Sequence, residues 1–199
     1  MAVAVLLAGG LARRMGGGDK PLCMLAGRPL LDHVLDRIRP QVGSVALNAN
    51  GDPARFARWG LPVLADPCPG NPGPLAGVLA GMRWASVLDA ADVLSVPTDT
   101  PFLPGDLLAR LDAARRAAGV PIACAASGGR THPVVALWPA ALAETLAAAL
   151  QSGLRKIDAW TAGQGVCSAA FDDAGPDPFF NVNSPDDLAT AEAIVAGDR

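Results

Sequence analysis

The feature that most constrains this chain lies at its start. The apolar run Ala2-Val3-Ala4-Val5-Leu6-Leu7-Ala8 breaks into Gly9-Gly10 and is followed by Arg13-Arg14-Met15 and then Gly16-Gly17-Gly18-Asp19-Lys20. A short apolar run that ends in glycines reads as a buried strand, and the glycines let the backbone beyond it approach a ligand closely. Successive glycine N–H groups can form an anion-binding concavity, and Arg14 with Lys20 can offset charge that several phosphate oxygens share. A nucleotide is the expected guest. Two glycine loops are excluded by the letters. Lys20 follows Asp19 and precedes Pro21, so there is no Gly-Lys-Ser/Thr, and a G-x-G-x-x-G begun at Gly16 and Gly18 fails at Pro21.

With 199 residues, 51% of them apolar, the chain can bury a substantial core and is expected to form a single domain over 1–199. A net charge of −3 argues against a broad grip on nucleic acid, so any basic site must be local. Cys23, Cys68, Cys124 and Cys167 form no C-x-x-C pair, which speaks against a zinc cluster and for reduced thiols; the two histidines do not suggest catalytic zinc either. The apolar start has no basic segment before it and runs straight into glycines. It reads as neither a signal peptide nor a membrane span, and the protein is expected to be cytoplasmic with no membrane partner.

Strand-like runs at 2–7, 44–48, 62–65 and 92–96 alternate with helix-like runs at 30–38, 53–59 and 75–88. Such alternation predicts a mainly parallel α/β sheet with helices on both faces, whose ligands bind beyond the carboxyl ends of the strands. Gly9 and Gly10, Asn48 and Asn50, Asp66, and Asp99 fall at those ends, where one crevice can collect them. Further on, a helix is expected at 105–118 and a hairpin at 120–126 and 133–138 that brings a small antiparallel edge. Helices at 140–150 and 154–161, a strand at 165–171 and a last helix opened by Ser184-Pro185 complete the chain.

Several residues suggest chemistry on their own letters. Asp99, on the stiff corner Pro97-Thr98-Asp99-Thr100-Pro101, can hold Mg²⁺ against nucleotide phosphate oxygens. Gly73, Pro74 and Leu75 open a helix whose first N–H groups can meet a ligand, with small Ala76 and Gly77 permitting close approach. Asn181 and Asn183 flank Val182, so in an extended segment both amides point to one side and the valine to the other. His33 has the ordinary context of a helix packing residue. No Ser-His-Asp nucleophile is legible.

The stretch Leu7-Ala8-Gly9-Gly10, Arg14-Met15-Gly16, Asp19-Lys20 fits the signature LAGGxxxRMGxxDK and resembles the nucleotidyltransferases, most closely the molybdenum cofactor guanylyltransferases. The resemblance extends through Gly73-Pro74-Leu75-Ala76-Gly77, Thr98-Asp99-Thr100-Pro101, His132-Pro133 and Asn181-Val182-Asn183-Ser184-Pro185, and so covers nearly the whole chain. It implies a three-layer, Rossmann-like nucleotidyltransferase sheet and transfer of GMP from Mg-GTP to the terminal phosphate of molybdopterin cofactor, with release of pyrophosphate. The matching positions imply that Leu7, Ala8, Gly9, Gly10, Lys20, Asn48, Asp66, Gly73, Pro74, Leu75 and Asp99 bind nucleotide. Asp99 then holds Mg²⁺, Arg14, Lys20 and Asp99 act in catalysis, and His132, Asn181 and Asn183 face the acceptor, away from the GTP loop. The N-terminal half would bind nucleotide and the C-terminal half mainly the acceptor; molybdenum-insertion proteins or apo-molybdoenzymes are the implied further partners. Two departures stand out: Ala12 replaces a frequent serine, which removes one phosphate hydrogen bond, and Thr98 replaces the usual cysteine. The alternatives are a molybdenum cofactor cytidylyltransferase, which shares the loop and the metal aspartate, and a non-catalytic molybdopterin carrier.

Overall fold

A computed structural model of the chain describes residues 1–9, 19–68, 73–171 and 175–197. In order, the elements are β1 (Val3–Leu7), β2 (Met24–Leu25), β3 (Arg28–Pro29), α1 (Leu30–Ile38), β4 (Val45–Asn48), β5 (Val63–Leu64), α2 (Pro74–Val87), β6 (Asp92–Pro97), α3 (Leu107–Ala118), β7 (Ile122–Ser127), β8 (Arg130–Pro139), α4 (Ala143–Gln151), α5 (Ile157–Thr161), β9 (Val166–Ala170) and α6 (Pro185–Gly197). Seven strands form one sheet in the order β5-β4-β1-β6-β8-β7-β9. β1 pairs in parallel with β4 on one side and β6 on the other, β4 pairs in parallel with β5, and β7 with β9. Only β8 runs against its neighbours, β6 and β7. The expected hairpin at 120–138 therefore forms, and its second strand inserts beside β6.

Helices cover both faces, as the apolar character of β1 requires. Ala4 and Leu6 pack with Leu31, Val34, Leu35 and Ile38 of α1 and with Leu107 and Leu111 of α3. Val3 and Val5 face the other way, into Leu75, Val78, Leu79 and Met82 of α2, Leu146 and Leu150 of α4, and Trp160 of α5. A third, smaller cluster of Leu25, Leu30, Val182 and Ala191 attaches α6 to the β2–β3 hairpin. Among the described residues no helix is long and apolar enough to cross a membrane. All four cysteines are free thiols.

Three segments depart from the expected pattern for identifiable reasons. Residues Pro53–Trp59 form a 3-10 helix and not an α-helix; Phe56 is their one fully buried side chain, and Trp59, three residues on, packs partly buried against the same cluster, a spacing that matches the 3-10 period. The helix expected from 154 begins only at Ile157, because Arg155 turns back to donate to the carbonyls of Leu150 and Leu154 at 2.8 and 2.7 Å. The hairpin β2–β3 was not expected at all. Its two-residue turn has Ala26 and Gly27 both at positive φ, 48° and 78°, a geometry usually signalled by Asn-Gly or Asp-Gly.

Two packing details set the site edge. Helix α2 lies close on the sheet because Gly77 and Gly81 face it: a Cβ at Gly77 would collide with Asn48 Oδ1 and a Leu7 methyl, and one at Gly81 would come within 2.7 Å of Val5 Cγ1. In β8, the register against β7 jumps from Cys124↔Ala136 to Ala125↔His132, so residues 133–135 bulge. Fully buried Ser95 pins this bulge. Its hydroxyl donates to the Val134 carbonyl at 2.6 Å and accepts from the Trp138 indole at 2.8 Å.

Gly81→Ala is expected to destabilise by about 1–3 kcal/mol through overpacking against Val5, measured by urea unfolding; an unchanged midpoint would show that α2 can ride up without loss. Ser95→Ala strands a buried indole N–H and a carbonyl, and should cost about 1–3 kcal/mol in the same assay.

Candidate active site

The carboxyl ends of β5, β4, β1 and β6 lie along one edge because these strands are parallel. The ends are stitched together: Ala8 N–H donates to the Asn48 carbonyl at 2.9 Å, and the N–H and hydroxyl of Thr98 both reach the Leu7 carbonyl, at 3.4 and 3.3 Å. A cleft of about 340 Å³ opens over this edge, lined by Leu7, Gly9, Lys20, Asn48, Asn50, Asp66, Gly73, Pro74 and Asp99, among others. Most of the expected nucleotide-side residues thus come together. Ala8 and Leu75 do not line it; their side chains are buried in the core at 2% and 0% exposure, leaving them only a backbone contribution. Gly10 and Arg14 lie outside the described residues.

One wall of the cleft is a closed polar network. Asn48 donates to Asp66 Oδ1 at 2.9 Å and to the Leu64 carbonyl at 3.1 Å, Asn50 donates to Asp66 Oδ2 at 2.8 Å, and Asp66 N–H donates to Asn50 Oδ1 at 2.9 Å. Arg55 extends it, giving a hydrogen bond to the Asn50 carbonyl at 2.6 Å and an ion pair to Asp19 at 3.0 Å. Arg55 was missed by sequence reasoning, and nothing in its local letters signals a link between the 3-10 segment and the end of the glycine loop.

Lys20 opens a short 3-10 turn, Lys20–Leu22, and its ammonium lies 2.6 Å from Asp99 Oδ2. Asp99 Oδ1 is buried and has no hydrogen-bond partner among the described residues. An acceptor-only oxygen left bare beside a nucleotide-sized cleft is chemically suited to a divalent cation. Among the described residues no group of three or more His, Cys, Asp and Glu side chains could hold a metal. This donor set fits Mg²⁺, which takes one or two carboxylates and completes its shell with phosphate oxygens and water.

Asp99 also borders a second cleft of about 360 Å³, lined by Thr131, His132, Pro133, Phe179, Asn181 and Asn183, among others. The two clefts share Pro97, Asp99 and Val134, so the bulge in β8 forms part of both walls. His132 Nε2 is 2.8 Å from Ser127 Oγ, which donates to Asp177 Oδ1 at 2.8 Å, and the imidazole lies 4.6 Å from the Phe179 ring. Val182 is fully buried while Asn181 and Asn183 are exposed, as the alternation requires. The segment is fastened to the aspartate corner by Val182 N–H, which donates to the Asp99 carbonyl at 2.9 Å. Asn183 Oδ1 accepts from Lys20, so this residue adjoins the lysine of the glycine loop and does not stand away from it. The expected helix start forms: Asp187 N–H donates to Ser184 Oγ at 3.2 Å, and Asp187 Oδ2 accepts from Asn183 N–H at 2.9 Å. Hydrogen bonding from Ser184, then from the Asn183 N–H, holds the Asp187 carboxyl below its ordinary range. His33 contacts the Leu25 carbonyl through Nε2 at 2.9 Å, in keeping with a packing role.

A larger groove of about 490 Å³ lies by the start of β6. Its charges satisfy one another: Arg115 is bidentate to Asp92 at 2.7 Å and also binds Asp112, and the hydrogen bonds it gives to Asp92 are the chief cause of its raised pKa. It offers a ligand little.

Comparison with known proteins places these features in a family. The profile of the MobA-like NTP transferase domain matches residues 4–166. The molybdenum cofactor guanylyltransferase of Rhodopseudomonas palustris (strain BisB5) is 56% identical over 198 residues, covering 98% of this chain and 94% of that protein. Its namesake from Bradyrhizobium sp. (strain ORS 278) is 55% identical over 195 residues, 96% of this chain and 92% of its own. The crystal structure of molybdopterin-guanine dinucleotide biosynthesis protein A from Archaeoglobus fulgidus superposes with a TM-score of 0.79 at 26% identity, over 99% of this chain and 100% of that one. With a profile match over most of its length and relatives above half identity, the chain belongs to the MobA-like NTP transferase family and is a nucleotidyltransferase.

Proposed function

We propose that the protein transfers GMP from Mg-GTP to the terminal phosphate of molybdopterin cofactor, releasing pyrophosphate and forming the guanine dinucleotide form of the cofactor. The names carried by its relatives support the acceptor and the base. The observation that carries the chemistry is the position of Asp99, whose bare Oδ1 stands where the two clefts meet. In this reading the chain is one domain over 1–199. Its N-terminal half, through Asp99, binds the nucleotide, and its C-terminal half, with His132, Asn181 and Asn183, mainly holds the acceptor. The protein acts in the cytoplasm, and its product passes to molybdenum-insertion proteins or apo-molybdoenzymes.

Chemically, an oxygen of the acceptor phosphate forms a bond to the α-phosphorus of GTP, while the bond from that phosphorus to the bridging oxygen breaks and leaves with pyrophosphate. No protein nucleophile is needed, so the chain has to bring two anions together in line and offset their charge. Mg²⁺ bound at Asp99 supplies part of that charge to the phosphate oxygens. Lys20, and Arg14 from the glycine loop, supply more where negative charge grows on the leaving pyrophosphate. Asn48, Asp66 and the backbone at Gly73 to Leu75 hold the nucleoside; Asn181, Asn183 and His132 hold the acceptor.

Pyrophosphate release from each NTP with Mg²⁺ and molybdopterin cofactor tests the reading. GTP should exceed CTP by about 10²-fold or more in kcat/KM, because a site that pairs the guanine edge leaves its groups unpaired with cytosine. Equal values would remove the guanylyl assignment, and no release with any NTP would leave only a carrier. Asp99→Asn should lower kcat by about 10²-fold or more at ordinary Mg²⁺ while the protein stays folded; near-normal turnover would sink the metal role.

A further inference from the structure

The junction of the two clefts holds a contact that the proposed roles leave unexplained. The Lys20 ammonium donates both to Asp99 Oδ2, at 2.6 Å, and to Asn183 Oδ1. The side chains of Lys20 and Asp99 are only 13% and 16% exposed, so solvent screens this pair weakly. Asn183 is not free to drift. Its own N–H is held by Asp187, the preceding N–H donates to the Asp99 carbonyl, and Val182 between them is fully buried. Its backbone is therefore held beside Lys20, and its amide oxygen accepts from the ammonium. An ammonium seated on one oxygen of a carboxylate opposes a divalent cation at the other, since the two positive charges share one partner. Nucleotide phosphates are stronger partners for a lysine than a neutral amide and can draw it away.

We propose that Asn183 is a positioning residue for Lys20: it holds the ammonium across Asp99 Oδ2, so that this carboxylate accepts a divalent cation only once nucleotide phosphates have drawn the lysine off. The inference rests on the reading of Asp99 as the metal ligand. It gives Asn183 a task on the donor side of the site, exerted from the segment that faces the acceptor, and makes the nucleotide a precondition for the metal.

Water-proton relaxation enhancement by Mn²⁺, which rises when the ion is bound to protein, tests this on the full chain without any turnover. In the absence of nucleotide, Asn183→Ala and Asn183→Leu change no charge, yet both are expected to bind Mn²⁺ at least about threefold more tightly than the unsubstituted protein, because the ammonium has lost one of the two acceptors it has among the described residues. Lys20→Gln should tighten Mn²⁺ by about tenfold or more. With saturating GTP the advantage of the Asn183 variants should shrink, the lysine having left Asp99 in every case. If neither Asn183 variant binds free Mn²⁺ more tightly, the proposal is overturned. Asp99→Asn isolates the premise: unaltered Mn²⁺ enhancement in the presence of GTP would remove the metal role of Asp99 itself, whereas its loss beside unchanged Asn183 variants would remove only the role given to Asn183.

Discussion

Strand β1 is the constraint on which the rest of the site depends. It is hydrogen-bonded in parallel on both edges and covered by helices on both faces, so neither its direction nor its register can change without exposing apolar side chains. Its last carbonyl, on Leu7, receives both the N–H and the hydroxyl of Thr98, and the next N–H, on Ala8, reaches Asn48. The start of the glycine loop, Asn48 and the aspartate corner are thereby tied to one point of the backbone. Thr98 is well suited to this work, since a hydroxyl donates a stronger hydrogen bond to a carbonyl than a thiol does.

The antiparallel strand of the seven-stranded sheet, β8, makes the second half of the site. With β8 inserted between β6 and β7, the edge that would otherwise continue as more parallel strand ends is interrupted by a hairpin, and the bulge at 133–135 projects between the two clefts. Pro133 lacks an N–H to give to a ladder, so a bulge there sacrifices little. Ser95 stabilises the irregularity from beneath by satisfying the Val134 carbonyl, while Trp138 satisfies Ser95. A core serine between Leu94 and Val96 of β6 is thus explained by the shape of the wall above it.

What was legible in the sequence follows from how local each signal is. β1 and β6, each to within one residue at one end, and the full span of α1 could be read from apolar runs and from the spacing of Leu30, Leu31, Val34, Leu35 and Ile38, because these local patterns specify them. The alternation at Asn181-Val182-Asn183 was equally readable. The turn at Ala26-Gly27 was not, since alanine carries no preference for positive φ. Nor were the Arg55–Asp19 ion pair and the contact between Lys20 and Asn183 legible, the latter spanning 163 positions. Contacts of that range depend on topology, and topology at the β8 insertion is not written in any local pattern.

Most carboxylates of the site among the described residues share a further property: apart from Asp99 Oδ1, they are already paired with neighbouring polar groups. Asp66 is held by Asn48 and Asn50, Asp19 by Arg55, and Asp99 by Lys20, within a chain whose net charge is −3. Binding of an anion at these paired groups would then be an exchange, in which a new hydrogen bond replaces an internal one and adds little net free energy. A wrong substrate breaks the internal pairs without replacing them and leaves buried groups unsatisfied. A prepaired site of this kind discriminates strongly while holding its correct ligand only moderately, which would suit the proposed reaction, whose dinucleotide product still bears most of the groups recognised in the substrates.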